Sequence, residues 1–321
     1  MPFPRSRWLV AAQVVLAALV VWFVGRALIQ EWAEYRSQSL EVHPRWGLVA
    51  LSGVVVLATY ALLIETWRAI LAGWNARLPY ATASRIWFVS NLGKYVPGKV
   101  AQIGTMAVMA NEAGVSPVAA AGSALINALV NVAVGIAIAV ITGWSSVTLR
   151  SNGRAPLGII LAVLVLGGLL LLPLLTPQLI SLVQRLSGRQ LGVGALPRRS
   201  IVYAIAGNAI AWIAYGLAFQ LLVAGVIGQA PGASNRYIAA YASSYVLGYL
   251  AVFAPGGIGV RDASIAATLP ALGLATPPQA AVVMVASRLW LTVLELVPGF
   301  IFLATRKPRR SPSTTTRDGS T

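Results

Sequence analysis

The chain has 321 residues, 58% of them hydrophobic and 10% charged, and its 24 lysines and arginines outweigh 8 acidic residues to a net charge of +16. An average soluble domain is about a quarter charged, so this composition excludes a water-soluble fold, and the absence of cysteine excludes disulfides, thiolate catalysis and zinc-thiolate sites. The basic residues sit in short loops beside apolar runs, which points to membrane topology and anionic lipid rather than nucleic acid, and the lack of a Walker-type glycine loop argues against an ATP-driven pump.

In chain order, Met1 to Arg7 and the apolar run after it imitate a signal peptide. The run ends in Trp22, Phe23 and Arg26 without a small-residue cleavage site, so a retained first helix is expected. Full spans are expected near 8 to 28, 46 to 72, 117 to 142, 156 to 176, 200 to 227 and 278 to 304. Each approaches or exceeds the roughly 20 apolar residues that cross a hydrocarbon core as helix, and none shows the alternation of a barrel strand. Two further stretches are apolar but broken. Residues 85 to 111 carry Asn91, Gly93, Lys94, Pro97, Gly98, Lys99 and Gln102, and residues 237 to 272 carry Pro255, Gly256, Gly257 and Gly259, then Arg261 and Asp262. Such breaks end helices, and the freed backbone is tolerated at membrane depth only inside protein or along a watery cavity. The fold class is therefore all-α, a polytopic transmembrane helical bundle with two re-entrant or broken helix segments. Residues 1 to 304 form one integral membrane domain, and 305 to 321 a basic, disordered cytoplasmic tail.

If each broken stretch enters and leaves on one side, the positive-inside rule is satisfied. Thirteen basic residues then face the cytoplasm: Arg5, Arg7, Arg77, Arg85, Arg185, Arg189, Arg198, Arg199, Arg306, Lys307, Arg309, Arg310 and Arg317. Six face the other side: Arg26, Arg36, Arg45, Arg150, Arg154 and Arg236. Both termini are then cytoplasmic. The order of elements also repeats, with halves at about 8 to 142 and 156 to 304 that start on opposite sides, an inverted repeat. Paired Gly/Pro-interrupted segments at matching places in such halves mark a transporter's central site.

The basic residues outside this count are Arg68, Lys94, Lys99, Arg261 and Arg288, with Glu65, Asp262 and Glu295 as acidic companions. Charge at membrane depth costs about 3 kcal/mol or more, so such residues face a cavity or a partner. Arg68 can snorkel and pair with Glu65 three residues earlier. Arg288 and Glu295, seven residues apart, share one helix stripe, read either as a buried structural pair, with Arg261 or Asp262 as further partners, or as part of a clamp on a lipid phosphate. Arg261 and Asp262 open a helix after the glycine turn, where N–H groups suit phosphate; Asp262 is equally a candidate cap. Lys94 and Lys99 flank Pro97 and Gly98 and either bind substrate or hold the segment at the headgroups. The candidate substrate-binding residues are therefore Lys94, Lys99, Arg261, Asp262, Arg288 and Glu295, and the candidate helix breaks or gates are Pro97, Gly98, Pro255, Gly256 and Gly257. His43 stands alone, so no metal is expected, and no catalytic constellation or cofactor site is read. Ser123, Asn127 and Asn131 recur every four residues, a pattern that knits helices, and the tryptophans read mostly as interfacial belts.

The segments SNLGKYVPGKVAQIG and APGGIGVRDASIAATLPALGL, followed by a span carrying Arg288, resemble the transmembrane region of lysylphosphatidylglycerol synthases, over roughly residues 10 to 304. That resemblance implies a lipid flippase fold moving aminoacylated phospholipid or, in other members, isoprenoid-linked or hopanoid lipids. The motif residues that match are Arg261, Asp262 and Arg288. The chain lacks the aminoacyl-transferase domain of the full synthases, and it carries Asn127, Ala128 and Asn131 where members often have charged residues. The expected function is a non-enzymatic flippase-like transporter of a phosphate-bearing lipid, a phospholipid or polyprenyl-phosphate lipid, in a bacterial or archaeal cytoplasmic membrane. The alternatives are a secondary transporter of a small soluble anion and a membrane accessory to a glycosyltransferase. The expected partner is membrane lipid and not nucleic acid; homo-oligomerisation and a lipid-modifying enzyme partner stay open.

Overall fold

The computed structural model describes residues 44–95, 100–148, 194–251 and 255–305, with scattered positions between 160 and 185. The expected first span, most of the span at 156 to 176, His43, Pro97, Gly98, Lys99 and the tail from residue 306 lie outside these residues. Among the described residues every regular element is helical. The order is α1 (Trp46–Gly73), α2 (Tyr80–Asn91), a 3-10 turn (Leu92–Tyr95), α3 (Val100–Glu112), α4 (Pro117–Thr148), α5 (Arg198–Ile227), α6 (Ser234–Leu250), a second 3-10 turn (Pro255–Gly257), α7 (Val260–Ala271) and α8 (Pro277–Ala304). Four helices are long and apolar enough to cross a bilayer, over Trp46–Gly73, Pro117–Gly143, Arg198–Ile227 and Pro277–Ala304. The chain is a membrane protein. Val54, Ile210 and Val293 lie exposed on these helices, as expected where hydrocarbon rather than water is the solvent.

Local chemistry sets the helix ends. Pro277 pre-forms the first turn of α8, while the Thr276 N–H donates to Gln279 Oε1 at 3.0 Å. Helix α5 stops at Gly228, whose φ of +78° reverses the backbone at no steric cost.

Helices α1 and α5 pack antiparallel along their whole length. The Arg45 N–H donates to the Gly225 carbonyl at 2.7 Å, Gly207 faces Thr66 midway, and Gly73 abuts Ser200 and Pro197 at the far end. Small residues make this approach possible, because helix association in lipid relies on close van der Waals packing. The loop with Arg77 and the start of α5 with Arg198 and Arg199 thus share one end of the bundle, hereafter the arginine end. Arg236 lies at the other, beside Leu272.

The two broken stretches are helical hairpins entering from opposite ends. Helix α2 leaves the arginine end, turns at Leu92–Tyr95, and α3 returns to the start of α4, where Gly122 lies against Trp74. Helix α6 enters from the opposite end, turns at Pro255–Gly257, and α7 returns to the start of α8. The turns touch each other inside the bundle. Gly248 and Gly257 permit the second hairpin: Gly257 has φ +72°, and a Cβ on Gly248 would fall 2.7 Å from Arg261 Cβ. The packing is reciprocal, since α4 lies on α6 as α8 lies on α2. With α1 antiparallel to α5, the described helices before and after residue 194 run in opposite senses through the bundle.

Three tryptophans depart from the interfacial pattern. Trp67, Trp212 and Trp290 are buried. The Trp67 indole N–H donates to Ser123 Oγ at 2.9 Å and that of Trp212 to the Asn131 carbonyl at 2.9 Å. Interior hydrogen-bond partners let Trp67 and Trp212 serve as core rather than as a headgroup belt.

Candidate functional site

A cavity of about 210 Å³ lies where the hairpin turns meet the middle of α1 and α5. It is smaller than the roughly 300–1,000 Å³ of typical drug-sized ligand pockets, so it fits a small polar group. Lys94 from the first turn, Gly256 and Gly257 from the second, Arg261 from the start of α7 and Glu295 from α8 all line it. The tertiary fold therefore brings together residues up to 235 positions apart in the chain.

Glu295 is buried and joins the two halves. Lys94 forms an ion pair with it, and the Tyr60 hydroxyl donates to its Oε1 at 3.2 Å. Arg288 forms an ion pair with Asp262 instead, behind the cavity wall, where their side chains are 12% and 11% exposed. Asp262 also accepts the Gly259 N–H at 2.9 Å, so one carboxylate both caps α7 and holds an arginine. The expected Arg288–Glu295 stripe thus resolves into two separate pairs. Seven residues of helix span about 10 Å, so each charge meets the nearer opposite charge on a neighbouring element rather than its companion on α8. Neither Asp262 nor Arg288 lines the cavity. Pro255 begins the second turn, and Lys99, Pro97 and Gly98 lie outside the described residues.

Arg261 differs from the other deep cations. It is 9% exposed and, among the described residues, makes no ion pair and leaves Nε and Nη2 without hydrogen-bond partners. Its guanidinium lies 5.8 Å and 5.7 Å from the ring centres of Tyr241 and Tyr245. Ring faces attract a cation but accept no directed hydrogen bond in the guanidinium plane. Set against Lys94 and Arg261, Glu295 leaves the described lining with one surplus positive charge. That is the electrostatic form of an anion site.

Several residues that line the cavity carry no charge and escaped the sequence reading. Tyr60, Trp87, Trp212, Tyr215, Tyr245 and Tyr249 form an aromatic wall, with Tyr60 and Tyr215 packed edge to face at 6.1 Å. Part of this wall is visible as a pattern, for Tyr237, Tyr241, Tyr245 and Tyr249 recur every four residues on α6. Asn127 and Asn131 also line the cavity while knitting helices: the Asn131 amide donates to Asn208 Oδ1 at 2.7 Å. Away from the cavity, Arg68 pairs with Glu65 as its spacing predicts and donates to the Leu78 carbonyl at 2.9 Å.

The family model for the lysylphosphatidylglycerol synthase TM region matches residues 10–299. No curated protein matches the chain.

Proposed function

The chain belongs to the lysylphosphatidylglycerol synthase TM region family, and on that premise we propose that it is a flippase-like transporter of a phosphate-bearing lipid. The lipid is a phospholipid or an isoprenoid-linked lipid, and the membrane is the cytoplasmic membrane of a bacterium or archaeon. The observation that carries this reading is Arg261, a buried guanidinium with unpartnered N–H groups at a cavity between two opposed hairpins. A buried charge without a counterion is costly, and a phosphate monoanion or diester entering the cavity would satisfy it with charge-assisted hydrogen bonds.

In this mechanism the headgroup occupies the cavity and the tail stays in the bilayer. Arg261 takes the phosphate. The Lys94–Glu295 pair ties the first hairpin turn to α8, and an arriving phosphate competes with Glu295 for Lys94. Asp262 and Arg288 act as positioning residues that hold the start of α7, and with it Arg261, in place. Lys99 would receive substrate beside Lys94. The arginine end faces the cytoplasm by the positive-inside rule, which puts both termini there. The protein performs no covalent chemistry on this reading.

Reconstituted vesicles with fluorescent-headgroup lipid, read by dithionite quenching, test it. Purified protein should accelerate translocation of an anionic phospholipid or polyprenyl phosphate over empty vesicles, and Arg261→Met should remove the acceleration. Vesicles with no acceleration for any such lipid would refute transport and favour an accessory role beside a glycosyltransferase.

A further inference from the structure

The uncharged polar atoms of the cavity carry information about the headgroup beyond its phosphate. Asn91 on α2 and Gln102 on α3 face each other across the first hairpin, with Gln102 Nε2 donating to Asn91 Oδ1 at 2.6 Å. Among the described residues that bond leaves Gln102 Oε1 and Asn91 Nδ2 uncommitted, an acceptor and a donor on two residues that line the cavity. Asn131 spends its Nδ2 on Asn208 and keeps Oδ1 for the cavity. A hydroxyl is the group that both gives and takes one hydrogen bond, so the Asn91–Gln102 pair fits a hydroxyl, and Asn131 Oδ1 fits the proton of another. The aromatic wall supplies flat faces for the C–H side of a polyol or sugar ring.

The same lining opposes an ammonium headgroup. Glu295 is its acidic residue among those described and is taken by Lys94 and Tyr60. The faces of Tyr241 and Tyr245 already carry Arg261, and the surplus charge is positive. A further cation would meet repulsion with no free carboxylate among the described residues to offset it, and the remaining ring faces of the wall return only part of that cost through cation–π attraction.

Resting on the anion-site reading above, we infer that the cavity selects a phosphate lipid whose headgroup is rich in hydroxyls, a glycerol, inositol or sugar, and discriminates against amino and aminoacyl headgroups. Phosphate alone supplies affinity through Arg261. The carboxamides supply the selection, because a site built to pair with hydroxyls is left with unpaired polar groups by an analogue that lacks them.

Binding to the purified full-length chain in detergent tests this without requiring transport. Quenching of its tryptophan fluorescence would be titrated with short-chain phosphatidic acid, phosphatidylglycerol, phosphatidylinositol, glucosyl phosphoryl polyprenol, phosphatidylethanolamine and lysylphosphatidylglycerol. Phosphatidylglycerol, phosphatidylinositol and the glucosyl lipid should bind about five- to tenfold more tightly than phosphatidic acid, as one or two added hydrogen bonds give, and the two amine-bearing lipids more weakly than it. The order among glycerol, inositol and glucose then identifies the source. Gln102→Leu should erase the preference over phosphatidic acid, read as the ratio of the two dissociation constants on one preparation, a ratio that holds in a protein folded well enough to bind at all. Equal binding of phosphatidic acid and phosphatidylglycerol, or tighter binding of either amine-bearing lipid, would overturn the inference while leaving the anion site standing. Failure of phosphatidic acid and every other anionic lipid to bind would instead overturn the anion site itself.

Discussion

Two deep arginines, Arg288 and Arg261, should respond in opposite ways to the same substitution. Arg288 is 12% exposed and paired with Asp262, which is also buried. Arg288→Met leaves the Asp262 carboxylate without its cation, and the cost of breaking a buried pair on one side is about 3–5 kcal/mol. For a chain of this length roughly 2 °C of melting temperature corresponds to 1 kcal/mol, so a fall of about 6–10 °C is expected in detergent. Arg261→Met removes an unpaired guanidinium. It forfeits cation–π contacts with Tyr241 and Tyr245 worth about 0.5–2 kcal/mol. It also relieves two unsatisfied nitrogens, Nε and Nη2, each costing about 1–3 kcal/mol. The balance is neutral to stabilising. Melting of both variants by intrinsic fluorescence, with lipid translocation on the same preparations, separates the roles: Arg288→Met should melt early, and Arg261→Met should melt like the wild type but not transport. If Arg261→Met melts as early as Arg288→Met, then Arg261 is a structural group and the anion-site reasoning fails.

Other expectations are simpler to check. A chain without native cysteine allows Thr66→Cys with Gly207→Cys, whose Cβ atoms would sit 3.7 Å apart, within the disulfide range; oxidation should form the bond quantitatively, seen as the loss of two hydrogens by mass, and no bond would refute the antiparallel α1–α5 contact. Gly216→Ala would place a Cβ 2.4 Å from the Ile238 backbone, so a loss of about 1–3 kcal/mol is expected, whereas Gly104→Ala meets nothing within 4 Å and should be neutral or stabilising in thermal melts. Arg288→Lys keeps charge but loses the planar fork; melting between wild type and Arg288→Met, with transport lowered only in proportion, is expected of a positioning residue, and full stability with abolished transport would return Arg288 to direct phosphate contact. In intact cells, an impermeant thiol reagent should label Gly232→Cys and not Asn75→Cys; the reverse would invert the assigned orientation.

The helices of this bundle are dictated locally. Apolar runs of lipid-crossing length leave the backbone no partner but itself, so α1, α4, α5 and α8 fall within two residues of their expected bounds except at the far end of α4. Gly-Pro breaks likewise had to become turns, because glycine tolerates φ of +72° at Gly257 and proline cannot continue a hydrogen-bond ladder. Pairing was a different matter. Whether Glu295 would serve Arg288 or Lys94 depends on which hairpin turn α8 meets, a contact between residues 201 apart that no periodicity encodes. Arg261 and Arg288 are both arginines beside the same motif, and only packing left one with a carboxylate and the other with two tyrosine rings. The interior tryptophans escaped the sequence for the same reason: a position along a helix sets depth, but the helix packed against it decides whether an indole such as Trp67 meets headgroups or a buried hydroxyl such as Ser123. Backbone satisfaction in lipid is a local demand and is met locally, whereas the satisfaction of a charge or an amide is settled by whatever the fold brings within 3 Å of it.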